Sequence, residues 1–85
     1  MKRVKKTKSE IQKIIGNECR NFRYNAMKMN LVEMSEKTQI PFKTLSNFEN
    51  GRSSNVHLFY MYLTFLSNKH ISRLIDNIIE KSEVK

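Results

Sequence analysis

Five cations crowd the first eight residues: Lys2, Arg3, Lys5, Lys6 and Lys8. Ammonium and guanidinium groups at that density attract polyanions and neutralise phosphates without reading sequence. The charge pattern alone also suits a solubilising tail. The whole chain carries 16 basic residues against 8 acids, a formal +8, and residues 9 to 85 hold 11 of the basic residues and all the acids. It reads as a weakly basic domain with a strongly basic arm. Groups able to do covalent or metal chemistry are sparse. One cysteine, Cys19, excludes an intramolecular disulfide, and it falls on an apolar helical stripe where it reads as a buried hydrophobe. His57 and His70 stand in no nucleophile–base–acid or metal-ligand spacing, and no phosphate-cradling glycine loop is present. The expectation is a chain without catalytic residues, metal or cofactor, and not an enzyme.

The elements that position these groups follow from length and periodicity. A chain of 10.1 kDa supports one modest core. Two glycines and one proline suit a mostly helical chain. No apolar run approaches the roughly 18 residues of a membrane span. The basic N-terminus lacks a following apolar core, so no signal peptide is expected and the cytoplasm is the expected location.

Residues 1–9 read as a flexible basic arm, 10–82 as the folded domain and 83–85 as a frayed tail. Ser9, with Gln12 three residues on, predicts a cap for a first helix over about 10 to 26. Ile11, Ile14, Ile15, Cys19, Phe22 and Ala26 recur there at steps of three and four. Asn30 with Glu33 predicts a second cap, Met29 and Met34 a hydrophobic staple, and a short helix over 31 to 38. Gln39-Ile40-Pro41 breaks the pattern, a third helix runs from 42 to 49, and Asn50-Gly51 ends it. Ser54 or Asn55 caps a fourth helix over 56 to 67, with Val56, Phe59, Leu63 and Leu66 inward. Ile71, Leu74, Ile75, Ile78 and Ile79 mark a fifth over 71 to 82. The fold class is all-α, a compact five-helix domain.

The stretch from Asn30 to Gly51 is a short helix, a tight turn and a second short helix. Such a pair needs other helices as a platform, and it matches the plan of a reader whose second helix enters the major groove. The wording of residues 30 to 52, NLVEMSEKTQIPFKTLSNFENGR, resembles the phage repressor and Cro type of helix-turn-helix, the XRE family. Asn30, Met34, Ser35, Ile40, Leu45, Ser46, Glu49 and Gly51 fit its pattern. IGNECRNFR upstream and SSNVHLFYMYLTFLS downstream are similar to its first and fourth helices. There are departures: Leu31 replaces a glutamine that commonly contacts phosphate, Gln39 replaces a glycine, Pro41 and Phe42 replace a more polar helix start, and the link from Arg23 to Asn30 is about one residue longer.

The resemblance implies a lambda-repressor-like fold and a sequence-specific regulator of double-stranded DNA, acting as a repressor on a palindromic operator as a homodimer. Within that plan Phe42, Lys43, Thr44 and Asn47 are the base-reading candidates. Arg52, Ser53 and Ser54 are phosphate candidates, with Lys2, Arg3, Lys5, Lys6 and Lys8 of the arm. The resemblance also implies an ion pair from Glu49 to the first helix, with Arg23 or alternatively Arg20 as partner. The apolar surplus of the last two helices, Tyr60, Tyr62, Phe65, Ile75, Ile78 and Ile79, can form a dimer seam or pack within the chain. Two other readings stand beside this one. The fold can serve as a protein-interaction module, an inhibitor or adaptor. The arm can bind nucleic acid nonspecifically.

Overall fold

The computed structural model describes residues 4–5, 7–53 and 55–84. Five α-helices make the body: α1 (Lys8–Phe22), α2 (Leu31–Thr38), α3 (Phe42–Glu49), α4 (Val56–Thr64) and α5 (Asn68–Lys81). The all-α, five-helix expectation holds. One feature outside it is a two-residue ribbon, β1 (Val4–Lys5) paired antiparallel with β2 (Glu83–Val84). The expected flexible arm and frayed tail are therefore tied together at Val4–Lys5 and Glu83–Val84. Extended backbone there exchanges ladder bonds that neither segment makes alone.

Helix boundaries follow local chemistry. α1 begins two residues before the expected point because Thr7, not Ser9, is its cap. The Thr7 hydroxyl accepts from the Glu10 N–H, and the Glu10 carboxylate accepts from the Thr7 N–H. Its C-terminal end is not α-helical. Arg23–Met27 form a π-turn, followed by Lys28 in the left-handed region at φ 58°. A π-turn absorbs one extra residue, and this one leads from the end of α1 toward the Asn30 cap. α2 opens on the expected box, with Asn30 Oδ1 accepting from Glu33 N–H at 2.8 Å and Glu33 Oε1 accepting from Asn30 N–H at 3.0 Å. Asn55 caps α4 through the Leu58 N–H. α4 ends at Thr64 rather than 67. α5 starts at Asn68 rather than 71, because Ser67 accepts from the His70 N–H and sets the cap earlier.

The core is Cys19, Met29, Met34, Leu45, Phe48, Leu58, Tyr62 and Leu74. Full burial of each large apolar side chain contributes about 1.5–3 kcal/mol. α4 turns inward most of the expected stripe, widened by Leu58 and Tyr62 and without Val56. Leu58 and Tyr62, four apart, are buried, Phe59, Leu63 and Leu66 are half-buried against them, and Val56 is 81% exposed.

Two glycines let helices approach. A Cβ on Gly16 would lie 2.6 Å from the Glu49 carbonyl oxygen and closer still to that of Phe48, so α1 lies directly on the C-terminal turn of α3. Gly51 follows α3 at φ 75°, and a Cβ there would meet the Lys13 backbone at 2.7 Å.

Candidate nucleic-acid interface

The turn between α2 and α3 is built from small polar side chains. Gln39 takes the left-handed conformation at φ 61°, a region glycine enters more readily. Its N–H donates to the Ser35 carbonyl at 2.9 Å, and its side-chain amide donates to the Glu36 carbonyl at 2.8 Å. The Ser35 hydroxyl donates to the Ile40 carbonyl at 2.6 Å, which fixes the turn's exit. Pro41 then precedes the first turn of α3, where its missing N–H costs nothing. Leu45, Phe48 and Glu49 form the inner side of α3.

The outer side carries the expected readers. Phe42 is 50% exposed, Lys43 and Thr44 are exposed, and Asn47 is half-buried one turn further on. The Asn47 backbone carbonyl accepts from the Arg52 N–H at 2.9 Å, folding the loop back onto α3. Arg52 is exposed and Ser53 half-buried beside it. Lys8 is exposed at the start of α1, and Lys5 lies in β1 with its side chain outside the described residues. Lys2, Arg3, Lys6 and Ser54 also lie outside the described residues.

The back of α3 is pinned by a buried polar network. Arg23 Nε and Nη2 donate to Glu49 Oε2 and Oε1, each at 2.8 Å, and Arg23 Nη1 donates to the Met29 carbonyl at 3.0 Å. Arg20, the alternative partner, is exposed. The Tyr62 hydroxyl donates to Glu49 Oε2. The guanidinium lies over the Tyr24 ring, 4.5 Å from its centroid. One guanidinium thus joins the end of α1, the residue before the α2 cap, and α3. The Glu49 hydrogen bond holds the Arg23 pKa above its ordinary value against the opposing effect of burial. Burial pushes the Tyr62 phenol up, and its bond to Glu49 adds to this. Burial likewise raises the Cys19 thiol, with the negative charges of Glu49 and Glu18 adding. A neutral thiol shielded in this way is a packing group, not a nucleophile.

Tyr62 corrects the seam expected from sequence. It is wholly buried and committed to Glu49, so it cannot line a dimer seam. Ile78 is half-buried against the core, whereas Tyr60, Phe65, Ile75 and Ile79 are exposed. A second carboxylate, Glu18, is buried and carries no signal in the sequence. Asn77 donates to it at 3.2 Å and Lys81 pairs with it, joining α1 to α5. Nothing in the local spacing links residues so far apart in sequence. Tyr62 could have been found from its four-residue step to Leu58, which puts both on one helical face. Among the described residues no cluster of side chains can hold a metal ion, and no helix is long and apolar enough to cross a membrane.

Compared with protein families, curated proteins and solved structures, the chain matches none.

Proposed function

We propose that the chain is a sequence-specific double-stranded DNA-binding regulator of the phage repressor and Cro type, which occupies a palindromic operator as a homodimer and represses by occupancy, without a catalytic step. The observation that carries this reading is α3 itself. Its outer side offers Phe42, Lys43, Thr44 and Asn47, and its inner side is held by Arg23, Glu49 and Tyr62. An α-helix fits the major groove, and a rigid mount keeps its side chains in register with base edges.

The roles follow from chemistry. Lys43 donates to guanine O6 or N7. Asn47 donates and accepts at the adenine edge. Phe42 packs on a thymine methyl, and the Thr44 hydroxyl reaches a base or phosphate. Arg52, Ser53, Ser54 and the basic arm bind phosphates, which sets affinity and salt dependence but not sequence. A single module buries roughly 600–1,000 Å² on DNA, so a second copy on a half-site about 34–36 Å away adds specificity. The exposed Tyr60, Phe65, Ile75 and Ile79 supply the apolar surface for that pairing. A cytoplasmic location accords with this role.

A second reading has its own support. Tyr24, Val32 and Phe42 are each at least half exposed, at 56%, 54% and 50%. Exposed apolar groups around a helix pair also suit a protein partner. Selection from a random duplex library at several salt concentrations separates the readings, using wild type, Lys43→Ala/Asn47→Ala and an arm deletion. Enrichment of one palindrome that the double variant fails to reproduce supports operator reading. Binding without enrichment that disappears only with the arm supports nonspecific binding. No DNA binding leaves the protein-partner reading.

A further inference from the structure

We infer that the outer face of α1 is a second DNA-backbone contact surface, on which Lys13, Asn17 and Arg20 bind phosphates beside the groove that α3 enters; this rests on the DNA-reading proposal above. The three residues are spaced by four and three, so they share one face of the helix. All three are exposed, while Gly16 and Cys19 are buried. Gly16 lies against the Phe48 and Glu49 carbonyls, and Lys13, Asn17 and Arg20 line one groove with Asn50, so this outer face borders the C-terminal end of α3.

Two shallow grooves lie between them. One, of about 280 Å³, is lined by Arg20 and Tyr24 together with Leu31, Phe42, Ser46 and Asn50. The other, of about 360 Å³, is lined by Lys13, Asn17 and Arg20 with Asn50. They share Arg20 and Asn50, so Arg20 stands in the groove that reaches Phe42 and Lys13 stands by the C-terminal end of α3. Among the described residues lining either groove, Glu49 is the one acid, and its oxygens are already bound by Arg23 and Tyr62. No acid among the described residues pairs with Lys13 or Arg20. Leu31 has no polar side-chain atom, and Arg20 is the exposed cation among the residues lining its groove.

The dimensions suit a nucleic-acid backbone. Lys13 and Arg20 are seven residues apart, about 10 Å along the helix axis. Measured along the duplex axis, that is about three steps of about 3.4 Å on one strand, enough for two separate phosphates. Asn17 stands between them as an amide donor. Contacts of this kind raise affinity and orient the domain without discriminating bases.

The test is a salt titration of binding to the duplex enriched in the selection, comparing wild type with Lys13→Gln/Arg20→Gln. Thermal unfolding confirms that this surface pair still folds. Lys69→Gln/Arg73→Gln, exposed on α5, is the control for general charge removal. Each phosphate left without its cation makes the slope of log K against log salt shallower by about 0.9. The α1 variant is expected to have a slope shallower by about 1.8 and to keep the wild-type base preference, with the control unchanged. An unchanged slope, an equal change in the control, or a shifted base preference overturns the inference and leaves operator reading intact. A wild type that enriches no duplex overturns both.

Discussion

Arg23 and Glu49 meet edge to edge, two nitrogens on two oxygens at 2.8 Å, with both side chains almost sealed from water. The pair is 26 residues apart in sequence and joins the end of α1 to the end of α3. The third guanidinium bond, to the Met29 carbonyl, adds the approach to α2. The helix pair is therefore mounted on one hydrogen-bonded centre as well as on packed apolar groups.

Removing either partner strands a buried charge. Arg23→Ala and Glu49→Ala are each expected to lower stability by about 3–5 kcal/mol in urea unfolding. Arg23→Met/Glu49→Leu strands no charge and is expected to lose less than the two single changes together. Single losses within about 0.5 kcal/mol, as for ordinary surface substitutions, would show that the pair does not hold α3.

Gly16→Ala opposes two effects. Alanine favours an exposed helix interior by about 1 kcal/mol. Here the added methyl meets the Phe48 and Glu49 carbonyls, which are backbone and cannot rotate away. The expected net result is a loss of about 1–3 kcal/mol. A rise in melting temperature would show that α1 and α3 are not in close contact at this point.

Stability should fall in alkali. Cys19 and Tyr62 are both held neutral by burial, with Glu49 reinforcing each. In the unfolded chain a thiol ionises near about 8.5 and a phenol near about 10. Below those values both states hold their protons and this contribution is complete. Above them the unfolded chain releases protons that the folded chain keeps, so stability declines from pH about 8.5 and faster from about 10. The decline reaches about 1.4 kcal/mol per pH unit for each group. Urea unfolding across that range checks the sign, and Cys19→Ala should abolish the earlier stage while retaining the later one. A flat profile would contradict the burial of both groups.

Ile75 and Ile79 are four apart on one exposed face of α5. If this face pairs two copies, Ile75→Glu/Ile79→Glu sediments as a monomer where wild type sediments as a dimer, and its thermal unfolding changes little. An identical sedimentation profile for the two proteins would remove this face from the seam.

Much of the scaffold was legible in the sequence because it depends on local chemistry. Asn30 with Glu33, Pro41, and Asn50-Gly51 mark α2 and α3 at their observed limits. The α1 cap is ambiguous in the sequence because Thr7 and Ser9 both precede an acid or amide at capping distance, and only the folded backbone selects Thr7. The π-turn at Arg23–Met27 depends on where Arg23 must reach, and the tie from Glu18 to Asn77 and Lys81 spans most of the chain. Neither has a local periodic signal. α4 is apolar on several sides, so its phase is not legible from composition alone, and Tyr62 stands equally as a seam residue or a packing residue. Nothing local around Gly16 signals that its lack of a side chain is what lets α1 and α3 touch.

The most direct test of the central claim is the ratio of affinities for the enriched duplex and a scrambled duplex, measured at one fixed salt concentration for wild type and Lys43→Ala/Asn47→Ala. Each correct pairing of side chain and base is worth about 1–3 kcal/mol of discrimination. The double variant should keep its fold and its binding to scrambled DNA, while the ratio falls by roughly tenfold to a hundredfold for each base left unread. A ratio equal to that of wild type, or a wild-type ratio of one, would contradict base reading by α3.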